Sequence, residues 1–130
     1  MALECEHDWD GVIATFAHPR YEMHSSGAVF DGEAEVRKYF HDSRVTFPDL
    51  TNEVISIASD PEANIVLVEF WLRGTHEGPI KVNGRIYEGS GRKFELRMTA
   101  TFEFEPTTDK IICERPYLSS DARLRSLGLL

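Results

Sequence analysis

The stretch Phe94-Glu95-Leu96-Arg97-Met98-Thr99-Ala100-Thr101-Phe102-Glu103-Phe104-Glu105 decides the fold of this chain. Its apolar and polar side chains alternate without a break, which predicts a long β-strand with one face toward a core and the other toward solvent. The outward row from Glu95 to Glu103 fits two interpretations, an ordinary solvated surface or a sheet-to-sheet contact between two copies of the chain. The sequence leaves both open.

Three further strands are predicted around this one. Residues 65–75 are apolar on both faces near their start, which is typical of a central strand. Residues 54–58 alternate and precede it, and the segment 60–64 between them has the Pro and Asn of a turn. Residues 111–118 predict the last strand. Residues 79–91 contain three glycines and predict a long hairpin connection.

Helices are predicted at both ends of the chain. Asp8 is placed to cap a helix whose apolar stripe is Trp9, Val12, Ile13 and Phe16, and His18-Pro19 should end it. A short hairpin over 21–30 follows. A second helix should begin at Asp31-Gly32 and bury Val36, Tyr39 and Phe40. Ser120-Asp121 predicts a short terminal helix that ends at Gly128.

This order of elements predicts an α+β fold in one domain over residues 1–130. A helix, a hairpin and a second helix precede four long strands that meander. Long strands twist and curl, so we expect a cone-shaped, curved mixed sheet with the N-terminal helices in its concave face. Such a cone is closed by core at one end and open at the other, and an opening of this kind is a common ligand site.

The net charge and the N-terminal sequence indicate which partners and which compartment to expect. Acidic residues outnumber basic ones by 22 to 14, for a formal net charge of −8. We therefore expect no nucleic acid and no anionic membrane surface as partner, since both reward clustered Lys and Arg. The acidic N-terminus lacks the basic start of a signal peptide, which indicates a cytoplasmic protein. In that compartment Cys5 and Cys113 are expected to be unpaired thiols.

Four short segments carry a resemblance to a known family. They are 47–50 (Phe-Pro-Asp-Leu), 74–79 (Gly-Thr-His-Glu-Gly-Pro), 114–117 (Glu-Arg-Pro-Tyr) and 124–128 (Leu-Arg-Ser-Leu-Gly). Together they make the chain similar to the SnoaL-like polyketide cyclase family. That family belongs to the nuclear transport factor 2-like superfamily, with ketosteroid isomerase, scytalone dehydratase and limonene epoxide hydrolase. The resemblance covers nearly the whole chain and implies the cone fold, which hosts many different functions.

The resemblance transfers only some of the family's catalytic positions to this sequence. It places His24 where ketosteroid isomerase has its carboxylate base. It places Ala100 where that isomerase and the SnoaL-type cyclases have a catalytic aspartic acid, and Pro116 where limonene epoxide hydrolase has an aspartate. The family's first helix starts earlier, so any catalytic tyrosine on it is missing here. These departures put the usual cyclase or isomerase mechanism in doubt.

Three ionisable residues are predicted to do chemistry. His24 and His76 are candidate general bases or acids, since histidine titrates near neutral pH, although each fits a purely structural histidine as well. Glu114 shares a strand face with Ile112 and Pro116. Among apolar groups its pKa would be raised, which suits a base. The alternative for Glu114 is a salt bridge with Arg97 or Arg115.

The predicted substrate contacts are Tyr21, Met23, Tyr39, Trp71, Met98 and Ala100, although aromatic residues are more often simple core. No Cys/His cluster suggests a metal, and we expect no cofactor. The ligand should be a small apolar organic molecule, and a homodimer through the sheet is expected. Three hypotheses remain: a cofactor-independent acid/base enzyme of cyclase, isomerase or hydrolase type, a non-catalytic ligand-binding module, and a structural dimer with a filled cone.

Overall fold

The computed structural model describes residues 1–130 and contains four helices and eight strands. The helices are α1 (Ala2–Cys5), α2 (Trp9–Ala14), α3 (Glu33–Thr46) and α4 (Ser120–Ser126). The strands are β1 (Arg20–Glu22), β2 (Val29–Asp31), β3 (Thr51–Asp60), β4 (Ile65–Thr75), β5 (Ile80–Val82), β6 (Arg85–Tyr87), β7 (Lys93–Phe104) and β8 (Ile111–Tyr117). The predicted order of helix, hairpin, helix and long strands is confirmed.

Six strands form one curled sheet in the order β2-β1-β8-β7-β4-β3. The pairs along the meander are antiparallel, and β1 joins β8 in parallel, which makes the sheet mixed. The parallel register aligns Tyr21 with Glu114. The α+β cone fold is thereby confirmed, with β8 and β7 at the centre of the sheet and β4 between β7 and the edge strand β3.

The alternation along β7 has the predicted consequence. Phe94, Leu96, Met98 and Ala100 are buried on the concave side. On the convex side Glu95 and Arg97 pair with Arg73 and Glu69 of the neighbouring strand β4, at 2.7 and 3.0 Å. The outward row is therefore neutralised within the chain by cross-strand ion pairs, each of which adds little stability at an exposed site.

Helices α2 and α3 begin where the sequence predicts their starts. The Asp8 carboxylate accepts a hydrogen bond from the Gly11 backbone N–H at 3.0 Å, at the start of α2. Helix α3 follows Gly32, whose φ of +91° is a conformation that other residues rarely adopt. Helix α2 ends at Ala14, before Phe16, because the chain there turns to bridge Ile111 at the edge of β8.

Two elements of the structure, the β5-β6 hairpin and α1, were not predicted from the sequence. The connection predicted over 79–91 contains the hairpin β5-β6, closed by Asn83 and Gly84 with φ of +51° and +79°. An Asn-Gly pair is a strong signal for such a turn, and the sequence shows it. The short α1 was not predicted either, and β3 extends beyond the predicted 54–58 at both ends.

Buried apolar residues form three clusters that define an interior space. One cluster joins α2, α3 and β1, and consists of Val12, Phe16, Tyr21, Val36 and Phe40. A second joins β5, β7, α4 and the end of α3, and consists of Phe47, Ile80, Val82, Phe94, Leu96, Leu124 and Leu127. The third is the sheet floor between them, Val68, Phe70, Met98 and Ala100. No helix has the length and apolar character needed to cross a membrane.

Candidate functional site

A cavity of about 370 Å³ lies above the sheet floor, between α3 and α4. Half of its 28 lining residues are hydrophobic. The apolar part of its wall includes Tyr39, Phe40, Phe47, Phe70, Leu72, Met98, Ala100 and Leu118. Its size suits a small organic molecule. The hypothesis of a filled cone is therefore wrong.

Glu114 is the buried carboxyl group of this cavity. It lies on β8 with only 5% of its surface exposed, and its Oε2 has no hydrogen-bond partner. The predicted alternative of a salt bridge is wrong, because Arg97 pairs with Glu69 and Arg115 pairs with Glu22 and Glu103 on the convex side. Strand alternation explains this, since neighbouring residues of β8 point to opposite faces.

Burial is the main reason why the pKa of Glu114 lies well above its ordinary value of 4.5. The negative charge of Glu4 raises this pKa further, while the Tyr21 hydroxyl and the α-amino group of Met1 oppose the shift. The carboxyl group therefore holds its proton at pH values where an exposed glutamate has lost it. A carboxyl group in this state can donate a proton and take it back.

Tyr21 connects Glu114 to a second carboxylate. It lies beside Glu114 in the β1-β8 register, and its hydroxyl donates a hydrogen bond to Glu4 Oε1 at 2.8 Å. Burial, followed by the charges of Glu114 and Glu4, raises the pKa of Tyr21 well above 10.0, so the hydroxyl remains protonated. With its proton directed at Glu4, the hydroxyl oxygen is free to accept a hydrogen bond from protonated Glu114.

The structure does not bring the two candidate histidines to this cavity. His24 is exposed in the turn after β1 and packs against Tyr117, with ring centroids 5.1 Å apart. Tyr21 and Met23 line the cavity, whereas His24 lies in the turn beyond the end of β1 and is not among the lining residues. His76 is fully buried behind Phe47, and its Nδ1 lies 2.9 Å from the Ser90 hydroxyl. Its Nε2 is buried without a hydrogen-bond partner, and His76 does not line the cavity.

Five of the six predicted substrate contacts line the cavity: Tyr21, Met23, Tyr39, Met98 and Ala100. Trp71 was predicted to contact the substrate, but it lies on the convex face of the sheet, away from the cavity. Phe70 and Leu72 line the cavity, so the residue between them points outward. There Arg73 and Arg97 stack over its indole ring, each with Cζ 5.8 Å from the ring centroid.

Glu4, Arg44 and Arg123 are polar lining residues that the sequence analysis missed. Glu4 and Arg123 belong to short helices far apart in the chain, and Arg44 lies on the last turn of α3. No local motif marks any of them. A basic residue in the last turn of a helix is ordinarily interpreted as a solvated charge, and only the packing of α4 against β7 brings Arg123 to the cavity.

No group of three or more His, Cys, Asp and Glu side chains is positioned to hold a metal ion. Cys5 and Cys113 are both unpaired. Burial raises the pKa of the Cys113 thiol to about 11. A thiol with this pKa is a poor nucleophile at neutral pH. The ionisable side chains that line the cavity are Glu4, Tyr21, Tyr39, Asp42, Arg44, Lys81, Glu114 and Arg123.

A curled sheet with helices in its concave face and a cavity above its floor defines an α+β protein of the ketosteroid isomerase-like cone fold. The chain belongs to the SnoaL-like domain family, whose model matches residues 2–114. The resemblance seen in the four sequence segments is thereby confirmed. No curated protein sequence matches the chain.

Solved structures of the same fold cover nearly the whole chain. TsrD from Streptomyces laurentii is 22% identical with a TM-score of 0.77, over 99% of this chain and 89% of that one. IdmH from Streptomyces antibioticus, a candidate polyketide cyclase, is 19% identical with a TM-score of 0.76, over 98% and 91%. A ketosteroid isomerase-like protein from Catenulispora acidiphila, solved with trimethylamine, is 15% identical with a TM-score of 0.78, over 99% and 88%. At these identities the likeness establishes the fold alone.

Proposed function

We propose that this protein is a cofactor-independent acid/base enzyme that moves a proton on a small, largely apolar, carbonyl-bearing molecule held in the cavity. Glu114 is the residue that carries the proton. The observation that supports this function is a buried carboxyl group that lines the cavity and has no counter-ion. Perturbed carboxyl groups in apolar clefts are typical of catalytic acids and bases.

In the proposed reaction the proton leaves and returns to the same substrate. Deprotonated Glu114 accepts a proton from the carbon next to the substrate carbonyl, which leaves an enolate. Protonated Glu114 then returns that proton to another atom of the molecule, so that no net proton is gained or lost. Tyr21 positions the carboxyl group, and the Glu4 charge helps to keep the pKa of Glu114 high. A pKa moved toward neutral pH favours transfer in both directions.

Deuterium exchange tests this function without knowledge of the natural substrate. A panel of cyclic and aromatic ketones is incubated with the protein in deuterated buffer, and deuterium at the α-carbon is measured by NMR and mass spectrometry. We expect at least one ketone to exchange with wild type and its exchange to fall at least a hundredfold in Glu114→Gln, the range typical of losing a general base.

The matched control for this experiment is Glu69→Gln. Glu69 lies on the convex face and pairs only with the exposed Arg97, so exchange should remain at the wild-type rate. Exchange that survives in Glu114→Gln contradicts the proposed role. A panel with no exchange in wild type favours the second candidate function below.

The second candidate function is a ligand-binding module without turnover. It is supported by Ala100, which lies on the cavity floor with 1% exposure where the family resemblance places a catalytic aspartic acid. An alanine there cannot donate a proton to an oxyanion. Native mass spectrometry distinguishes this function, since a binding module should retain a small molecule from the expression host and release it unchanged on denaturation.

We also propose that the protein is a cytoplasmic homodimer joined through the convex face of the sheet. The two unpaired cysteines suit a reducing compartment. On the convex face Leu67 is 44% exposed, and the ion pairs Arg97–Glu69 and Arg73–Glu95 follow it along the same face. An apolar centre with a charged rim is the usual composition of a protein interface.

A further inference from the structure

Arg123 on α4 has no partner for its charge. It lines the cavity, and its guanidinium Cζ lies 5.2 Å from the centroid of the Phe47 ring. Its Nε is fully enclosed without a hydrogen bond, and the side chain is in no ion pair. Burial lowers the pKa of Arg123, although an arginine remains charged at any pH that the folded protein meets.

Seven of the other nine arginines have a polar partner, and the remaining two, Arg85 and Arg125, are exposed to solvent. Arg20, Arg37, Arg73, Arg97 and Arg115 each pair with a carboxylate. The guanidinium of Arg44 donates to the backbone carbonyl of Glu4 and that of Arg92 to the carbonyls of Leu127 and Gly128. A partly buried arginine without an anion is costly, since the guanidinium has lost water and gained little in return.

The position of Arg123 relative to Glu114 divides the cavity into two ends. The Arg123 guanidinium packs against the ring of Phe47. Phe47 belongs to the same buried cluster as Leu96 of β7. Glu114 lies opposite Phe102 of the same strand. These two β7 positions are about 20 Å apart at the usual rise of a strand, and the charges of Arg123 and Glu114 both act on the hydroxyl of Tyr39, which lines the same cavity. The apolar floor with Met98 and Ala100 lies between them.

We propose that Arg123 is an anion-binding residue of the cavity and that the ligand is an apolar organic acid whose carboxylate pairs with it. This inference rests on the proposed function for the identity of the cavity as a substrate site, and it adds the substrate class. The Phe47 ring packs against one face of the guanidinium and Nε is enclosed, so the edge formed by the two Nη atoms remains for two parallel hydrogen bonds to a carboxylate. The other end of the ligand then reaches Glu114.

Two probes of nearly equal shape test the inference, 2-naphthoate and its neutral counterpart 2-naphthamide. Their affinities are measured by calorimetric titration at pH 7.5 with wild type and Arg123→Met. We expect naphthoate to bind wild type at least tenfold more tightly than naphthamide, as a charge-assisted hydrogen bond predicts. In Arg123→Met this preference should disappear while naphthamide binds within about threefold of wild type.

Two control variants separate charge recognition from loss of structure. Arg123→Lys should keep part of the preference, because it retains the charge without the planar fork. Arg125→Met removes an exposed arginine two positions along the same helix and should leave both affinities unchanged.

The outcomes separate this inference from the proposed function. Equal affinities in wild type, or a preference that survives in Arg123→Met, overturn the anion site and leave the role of Glu114 intact. A preference that depends on Arg123, together with ketone exchange that does not depend on Glu114, supports the anion site in a binding module. Failure of wild type to bind either probe at millimolar concentration overturns the anion site, and the ketone exchange then decides the proposed function by itself.

Discussion

At the scale of the residue, Glu114 should make the protein less stable as the pH rises. Its pKa is about 4.5 in the unfolded chain and higher in the folded one, so between these values only the folded state keeps the proton. Unfolding then releases a proton, and stability falls with rising pH. The difference in unfolding free energy between Glu114→Gln and wild type should grow above pH 4.5, by at most about 1.4 kcal/mol per pH unit. Urea titrations from pH 4 to 9 measure it, and parallel curves for the two proteins would contradict a raised pKa.

At the scale of the element, Gly78 lies where the segment after β4 forms hydrogen bonds with the end of α3. The backbone N–H groups of Glu77 and Gly78 both donate to the Thr46 carbonyl. A Cβ at Gly78 would lie 2.3 Å from the Val45 carbonyl oxygen, which the helix cannot withdraw. Gly78→Ala should therefore lower the unfolding free energy by about 2 kcal/mol or more, measured by urea denaturation. The exposed neighbour gives the control Glu77→Ala, which should change it by less than about 0.5 kcal/mol. Equal stability of the two variants would show that the backbone at Gly78 has room for a Cβ beside the Val45 carbonyl.

At the scale of the whole molecule, the convex face should decide the oligomeric state. A carboxylate at Leu67 would place unpaired charge at the centre of the proposed interface. Leu67→Glu should therefore convert a dimer to a monomer in size-exclusion chromatography with light scattering. Ile86→Glu changes a residue that is 59% exposed on the β5-β6 hairpin, outside the sheet, and should leave the dimer unchanged. A monomeric wild type would refute the proposed interface.

Much of the fold was predictable because its signals are local. Alternation over 94–105, the cap at Asp8 and the turn residues around the strands each depend on a few neighbours in the sequence. The β5-β6 hairpin was missed although Asn83-Gly84 signals it, so that error lay in the interpretation of the sequence. Helix α1 is a single turn whose sequence has no side-chain cap, and it had no local signal to find.

The candidate site was predictable only in part. Glu114 was selected for the correct face of β8, and five of the six proposed contacts line the cavity. The histidines were selected for their chemistry and, for His24, for its place in the family resemblance. Both lie just beyond the ends of strands, at Glu22 of β1 and Thr75 of β4, where strand alternation no longer fixes the direction of a side chain.

The sequence by itself determined the order of the elements, the alternation of β7 and, through its four segments, the family. Only the tertiary structure decided which face of β4 holds Trp71, that Glu114 lacks an ion pair, and that Arg123 meets the cavity. The physical reason is that periodicity divides a strand or helix into two faces without saying what covers each. Burial, ion pairing and pKa depend on residues distant in the chain, such as Glu4 beside Glu114 and Phe47 beneath Arg123.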